Sequence, residues 1–183
     1  LVGALAIWGW MRRFGVRWRF FLIGGAIWVV GVALKFGWAL PLNQPILTAL
    51  GESLPGHAAF VASVIYIGLL TGLFEIGVTI VAARRWPGLS QNAAQAIAIG
   101  IGAGATEALV LGALLALSTV GSQDAAVFGP QSLSLVQVAE RALALLCQTA
   151  SRGLVFFAAA TRRWRWARAA IGLLTAVDAV ARV

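Results

Sequence analysis

The chain is poor in the residue types from which catalytic centres are most often built. Its 183 residues include one His, one Cys and six acidic side chains. A lone Cys147 cannot form a disulfide within the chain. A lone His57 cannot supply several imidazole ligands to a zinc ion. No segment alternates apolar and polar residues over about ten positions, which excludes a transmembrane β-barrel.

Long apolar runs are what the chain has in abundance. Apolar residues make up 61% of it and charged residues 11%, with a mean hydropathy of +0.91. Runs of about 20 apolar residues match the hydrocarbon core of a bilayer, and in lipid such runs satisfy their backbone groups as helices. The sequence therefore predicts an all-α, polytopic transmembrane helix bundle in the cell membrane, with the lipid bilayer as its surroundings.

Six spans are predicted, at residues 1–10, about 19–40, 59–83, 93–119 and 134–160, with a sixth ending at Val183. The chain starts without Met in one apolar run and stops in another. We therefore expect residues 1–183 to be one transmembrane domain of a longer chain, with the first and last spans incomplete. Pro41 is expected to end the second span, because Pro cannot continue an unstrained helix. The connection after it is expected to hold a short interfacial helix, and Ser90 or Asn92 can cap the fourth span.

Basic residues are concentrated in every second connection. Connections 1–2, 3–4 and 5–6 hold ten arginines, which are Arg12, Arg13, Arg17, Arg19, Arg84, Arg85, Arg162, Arg163, Arg165 and Arg168. Connections 2–3 and 4–5 hold no Lys or Arg, only Glu52 and Asp124. The positive-inside rule predicts that the three basic connections are cytoplasmic. The net charge of +8 then indicates a membrane surface and not nucleic acid.

Three carboxylates lie within apolar runs, at Glu75, Glu107 and Asp178. An ionisable residue inside the membrane normally faces a partner, a cavity or a reaction centre. With a rise of about 1.5 Å per residue, Glu75 lies roughly 13 Å and Arg152 roughly 15 Å above the cytoplasmic ends of their spans. These matched depths predict a Glu75–Arg152 ion pair in a lower polar layer, to which we also assign Asp178.

A second polar layer is predicted nearer the outer surface. Glu107 and Gln148 each lie roughly 21 Å from their cytoplasmic ends, and Lys35 lies at roughly 24 Å. Glu107 is therefore expected to be protonated, or hydrogen-bonded to Gln148 or Lys35. Lys35 can instead extend to the outer surface. A carboxylate pair that shares one proton, either Glu75 with Glu107 or Glu107 with Asp178, is a further arrangement, but the depths of the two members differ by roughly 6–8 Å.

Three runs of sequence resemble the YhfC-type intramembrane metalloprotease family. They are GLFEIGVTIVAARRW, AIGIGAGATEALVLG and AERALALLCQTASRGLVFFAAATRRW, and the earlier run FLIGGAIWVVGVALKFGWALPL is similar to the family's second helix. Members typically show a Glu-Glu pair followed by an Arg, then a Gly-His-Gly motif before a Glu. A His follows, in the helix that opens with Glu-Arg. The resemblance implies a protease fold in which His and Glu side chains bind a metal, expected to be zinc, and activate water.

This chain departs from the resembled motifs at most of the implied ligand positions. Glu75 matches the first acidic residue, but Ile76 replaces the second and Thr79 stands where Arg is expected. The resemblance places Ala103 at the first His position and Gln148 at the second, while Glu107 matches.

The opening Glu-Arg pair is retained at Glu140 and Arg141. Glu75, Glu107, Asp178 and Cys147 could supply oxygen and sulfur to a metal, but none of these positions supplies an imidazole.

Two classes of function follow from this pattern. In the first, the chain keeps the protease-like fold but is catalytically degenerate. It then acts as an accessory or binding subunit with other membrane proteins, without metal or cofactor. In the alternative, it is an active intramembrane metallopeptidase that binds zinc, or a transporter that uses Glu75, Glu107 and Asp178. A buried Glu75–Arg152 pair is compatible with both classes, since such a pair also fixes the register of packed helices.

Overall fold

The computed structural model describes residues 2–120 and 135–180, which form six α-helices and one 3₁₀-helix. The α-helices are α1 Val2–Phe14, α2 Arg19–Ser53, α3 Gly56–Arg85, α4 Ala93–Val120, α5 Leu135–Thr161 and α6 Arg165–Val180, and the 3₁₀-helix is Pro87–Ser90. No strand occurs in these residues. The chain is an all-α helix bundle, as the sequence predicts. Asp124 and Val183 lie outside the described residues.

Four helices of the described part are long and apolar enough to cross a membrane. Their spans are Arg19–Ser53, Gly56–Arg85, Ala93–Leu114 and Val138–Thr161. They correspond to the second, third, fourth and fifth predicted spans. The helices α1 and α6 have 13 and 16 residues, fewer than the roughly 20 that cross a hydrocarbon core. Helix α1 packs against α4 and α5, and α6 packs against α3 and α5.

The predicted end of the second span at Pro41 is wrong. Helix α2 continues through Pro41 and Pro45 for 35 residues, which corresponds to about 52 Å. No separate interfacial helix follows, because the same helix forms that segment. The Tyr66 hydroxyl accepts a hydrogen bond from Trp38 Nε1 at 3.2 Å and donates one to Asn43 Oδ1 at 3.0 Å. These bonds fasten α2 to α3 on both sides of Pro41, which offsets the backbone hydrogen bond that Pro cannot make.

The bundle is arranged so that α4 packs between α2 and α5, while α3 packs between α2 and α6. Helices α3 and α5 also meet, which brings their inner faces together. Glycines allow the closest crossings. A Cβ atom at Gly24 would collide with the Ile99 carbonyl, and one at Gly102 would collide with the backbone of Phe21. Helices α2 and α4 are therefore in backbone contact.

Three turns meet at one end of the bundle. The Trp10 indole in α1 donates a hydrogen bond to the Ala94 carbonyl at the start of α4, at 2.9 Å. The Arg84 guanidinium at the end of α3 lies 4.2 Å from the ring centre of Trp164, between α5 and α6. The α1–α2, α3–α4 and α5–α6 turns thus share one end, which we call the basic end because it carries the ten arginines.

Local signals set the boundaries at the basic end. Asn92 caps α4, because its Oδ1 accepts a hydrogen bond from the Ala94 backbone N–H at 2.8 Å. Ser90 instead bonds the Pro87 carbonyl within the 3₁₀-helix. Gly15 closes α1 with φ of +62°, a backbone conformation that Gly adopts without steric cost.

Candidate functional site

Five polar side chains from four helices meet inside the bundle. They are Lys35 of α2, Glu75 of α3, Glu107 of α4, and Gln148 and Arg152 of α5, and we call them the buried polar network. Arg152 has no exposed surface, while Glu75 is 2% and Gln148 4% exposed. Lys35 and Glu107 are partly buried, and 22% of the Lys35 side chain is exposed. Polar groups this deeply buried are stable only when partnered.

Glu75 is the centre of the network. Its Oε1 accepts from Lys35 Nζ at 3.3 Å, and its Oε2 accepts from Arg152 Nη2 at 3.5 Å. Gln148 Nε2 also donates to Oε2, at 3.3 Å. Gly31 makes room for this arrangement, because a Cβ there would lie 2.9 Å from Glu75 Cα. Both carboxylate oxygens of Glu75 are therefore occupied by side chains of the protein.

Gln148 connects the two carboxylates of the network. Its amide nitrogen donates to Glu75 and to Glu107 Oε2, while its amide oxygen accepts from Arg152 Nη1. Residues 148 and 152 are four apart on α5, so that their side chains lie on one face of the helix. The predicted hydrogen bond between Glu107 and Gln148 is present. Glu75 and Glu107 share this amide donor.

The prediction of two separate polar layers is wrong. Lys35 does not extend to the outer surface, and it joins Glu75 instead of the Glu107 layer. Its side chain contacts α3, where Nζ lies 3.4 Å from Thr71 Oγ1 and 3.3 Å from Glu75 Oε1. Gly31 packs directly against the Glu75 backbone, so Lys35, four residues further along α2, lies only about one helical turn beyond Glu75. The residue count from the basic turns had placed it too far away. The ion pair expected between Glu75 and Arg152 is formed within the resulting single network.

Asp178 of α6 lies next to this network. Thr71 Oγ1 donates a hydrogen bond to Asp178 Oδ2 at 2.8 Å and lies beside Lys35. Sequence reasoning missed Thr71, although a signal for it existed. It precedes Glu75 by four residues and therefore lies on the same face of α3.

The remaining candidate residues lie outside the buried polar network or pack in the interior of the bundle. Glu140 and Arg141 pair with each other at 2.5 Å on the exposed start of α5. His57 is exposed at the start of α3, and Cys147 is a partly buried free thiol. Ala103 is completely buried within the bundle.

Ile76 and Thr79 are also completely buried, on α3. Thr79 Oγ1 bonds the Glu75 carbonyl at 2.9 Å. The positions at which the resembled motifs carry further ionisable side chains are thus filled by packed uncharged ones.

The sequence model of the YhfC intramembrane metalloprotease matches residues 1–129. The chain belongs to the YhfC intramembrane metalloprotease family. The match contains Lys35, Glu75 and Glu107, whereas Gln148 and Arg152 follow the matched segment. Comparison with curated proteins and with solved structures finds no significant match.

The name of the YhfC family implies a metal, and the side chains of the buried polar network do not fit one. A catalytic zinc needs three protein ligands, mainly His, Cys or carboxylate. In residues 2–120 and 135–180 no three such side chains are grouped so that they could hold a metal ion. Gln148 contributes a neutral amide that is already bonded to both Glu75 and Glu107. The network contains two carboxylates and two basic side chains, so its net charge is zero when all four are ionised.

An apolar groove of about 910 Å³ lies on another side of the bundle, between α1, α2, α4 and α5. Its lining includes the small residues Ala108, Gly112 and Ala113 and the exposed Leu109. Small residues of this kind allow a neighbouring transmembrane helix to approach closely. The Glu140–Arg141 pair also borders the groove.

Proposed function

We propose that this YhfC-family protein is catalytically degenerate and acts as an accessory or binding subunit of a membrane assembly. The observation that carries the proposal is the saturation of Glu75 by Lys35, Arg152 and Gln148. The carboxylate best placed to act in the bundle interior is thereby used to connect helices.

The charges of the network argue against a divalent cation. A metal ion bound by Glu75 or Glu107 would lie close to the cationic side chains of Lys35 and Arg152. Repulsion between like charges is strong at short range in a medium of low dielectric constant. The two basic side chains take the compensating role that a metal ion would otherwise have.

The network also offers no free general base that could activate a water molecule. A general base must be within hydrogen-bond reach of the proton that it removes. Glu75 is held by two cations, and Glu107 is hydrogen-bonded to Gln148. His57 belongs to the opposite end of α3 from the basic end. We infer that the network stabilises the packing of α2, α3, α4 and α5.

A binding role is supported by the apolar groove. A transmembrane helix of another subunit fits its chemistry, because the small residues along α4 permit close backbone approach. In this proposal the occupant is a membrane protein. The polar network stabilises the packing of α2, α4 and α5, which line the groove.

The protein is proposed to be multi-pass, with the basic end in the cytoplasm. Ten arginines lie at that end, and none of the five acidic residues in the described part of the chain does. The positive-inside rule relates such an asymmetry to orientation.

Site-specific photo-crosslinking in native membranes tests the binding role. A photoreactive residue at Leu109, which lines the groove and is 73% exposed, should yield one discrete adduct with a single membrane protein. The matched control is Val81 on α3, which is 64% exposed and lies outside the groove. Lipid adducts alone at Leu109, or the same pattern at both positions, would contradict the proposed subunit role.

A further inference from the structure

The basic end is an exposed cationic surface without acidic partners. All ten of its arginines are exposed, and its three turns contain no Asp or Glu. The ion pairs formed among the described residues involve Lys35, Glu75, Arg141, Glu140 and Arg152. None of them uses an arginine of the basic end, so the positive charge of this surface is not balanced by ion pairs in the described part.

Several of these guanidinium groups lie against aromatic rings. Arg12 lies 5.1 Å from the ring centre of Trp8, and Arg165 lies 5.3 Å from that of Trp166. Arg84 contacts the Trp164 ring across two turns. A guanidinium stacked on a ring keeps its N–H groups directed outward, where they can bind a phosphate in a bidentate manner.

Exposed tryptophans place this surface at the level of lipid headgroups. Trp8, Trp18 and Trp86 are 59%, 63% and 59% exposed. Exposed Trp side chains at the ends of membrane helices lie at the interface between hydrocarbon and water. The arginines of the same turns therefore lie in the layer that contains the phosphates.

We propose that the basic end selectively binds anionic phospholipids. One headgroup position is the cleft of about 430 Å³ lined by Arg163 and Arg165. The cytoplasmic leaflet carries the anionic lipids to which clustered basic residues bind. A lipid is favoured over an acidic protein because the tryptophans and arginines of these turns lie together in the headgroup layer.

Native mass spectrometry of the purified protein in mixed micelles tests this inference. The protein is titrated with phosphatidylglycerol or phosphatidylcholine at low and high salt. We expect more phosphatidylglycerol to be retained, and retention to fall as salt rises. The variant Arg163→Gln/Arg165→Gln should weaken binding at the cleft by roughly fivefold for each arginine removed.

Two further variants make the result interpretable. Arg141→Gln removes an arginine of α5 that lies outside the basic end and should leave lipid retention unchanged. Arg163→Lys/Arg165→Lys keeps the charge but removes the bidentate geometry, so it should bind with intermediate strength and provides a readout if the Gln variant does not fold. Equal retention of the two lipids by the unaltered chain would overturn the proposal, as would equal losses in the Arg141 and cleft variants. Tighter binding of polyglutamate than of phosphatidylglycerol would also overturn it.

Discussion

Glu75 pairs with two cationic side chains inside the bundle. Three side chains from two other helices donate to its carboxylate, and one of them, Arg152, is completely buried. Removing one partner of a buried ion pair leaves an uncompensated charge in a low-dielectric interior. The energetic role of Glu75 is therefore to neutralise cations that the bundle has already buried.

A double-mutant cycle measures this coupling. Glu75→Gln and Arg152→Gln should each lower the free energy of unfolding in detergent by about 3–5 kcal/mol. The double variant should lose less than the sum, because neither charge is then left without its partner. The same cycle at the exposed Glu140–Arg141 pair should give a coupling of no more than about 1 kcal/mol. Additive losses at Glu75 and Arg152 would show that the pair is not coupled.

Sequence reasoning found the Glu75–Arg152 pair but placed Lys35 too far from Glu75. Counting residues from the basic turns was sufficient to match Glu75 with Arg152, because a helix rises by a constant distance per residue. The same count assigned Lys35 to the wrong partner. A lysine side chain covers several ångströms in a direction that depends on its neighbours, here Thr71 and Glu75.

At the scale of helices, glycine contacts determine how the polar side chains come together. The contact between Gly24 and Ile99 and the contact between Gly102 and Phe21 bring α2 against α4. Four glycines lie close to Glu107 in the sequence, at Gly100, Gly102, Gly104 and Gly112, but the sequence does not reveal which of them lie at a helix crossing. Gly112 belongs to the same group, yet nothing lies within 4 Å of the position that its Cβ would take.

Glycine-to-alanine substitutions should therefore divide into two groups. Gly24→Ala and Gly102→Ala force α2 and α4 apart and should lower the free energy of unfolding by about 1–3 kcal/mol. Gly77→Ala in α3 meets open space and should raise it by about 0.5–1 kcal/mol, since Ala is the better helix former. Thermal unfolding in detergent provides the comparison. Equal effects at all three positions would contradict the close crossing of α2 and α4.

Helix α2 shows why helix ends were less predictable than helix positions. Pro41 is a reliable sign of a helix end in an isolated segment. Here the Tyr66 hydroxyl bonds both Trp38 and Asn43 and holds the helix to α3 across the proline. This contact joins residues more than twenty positions apart in the chain, so the local sequence around Pro41 could not reveal it.

At the scale of the whole molecule, the separation of charge is the dominant feature. Ten arginines lie at one end, whereas Glu52 lies at the other end, where α2 closes. This asymmetry was fully readable from the sequence, because it depends only on which connections contain Arg. The meeting of the three turns through Trp10 and Trp164 required the fold.

Cysteine labelling in intact cells tests the orientation. Single cysteines at Arg84 and at Glu52, introduced into a Cys147→Ser background, should react with an impermeant reagent from opposite sides. Glu52 should be labelled from outside, and Arg84 only after permeabilisation. Labelling of both positions from the same side would contradict the proposed topology.

The central claim is that the network of Lys35, Glu75, Glu107, Gln148 and Arg152 replaces a metal centre. The most direct test is the zinc content of the protein purified without chelator, measured by elemental mass spectrometry together with Glu75→Gln and Glu107→Gln variants. We predict well below one zinc per chain, and the same content in all three proteins. One zinc per chain that is lost in either variant would contradict the claim and favour an active intramembrane metallopeptidase.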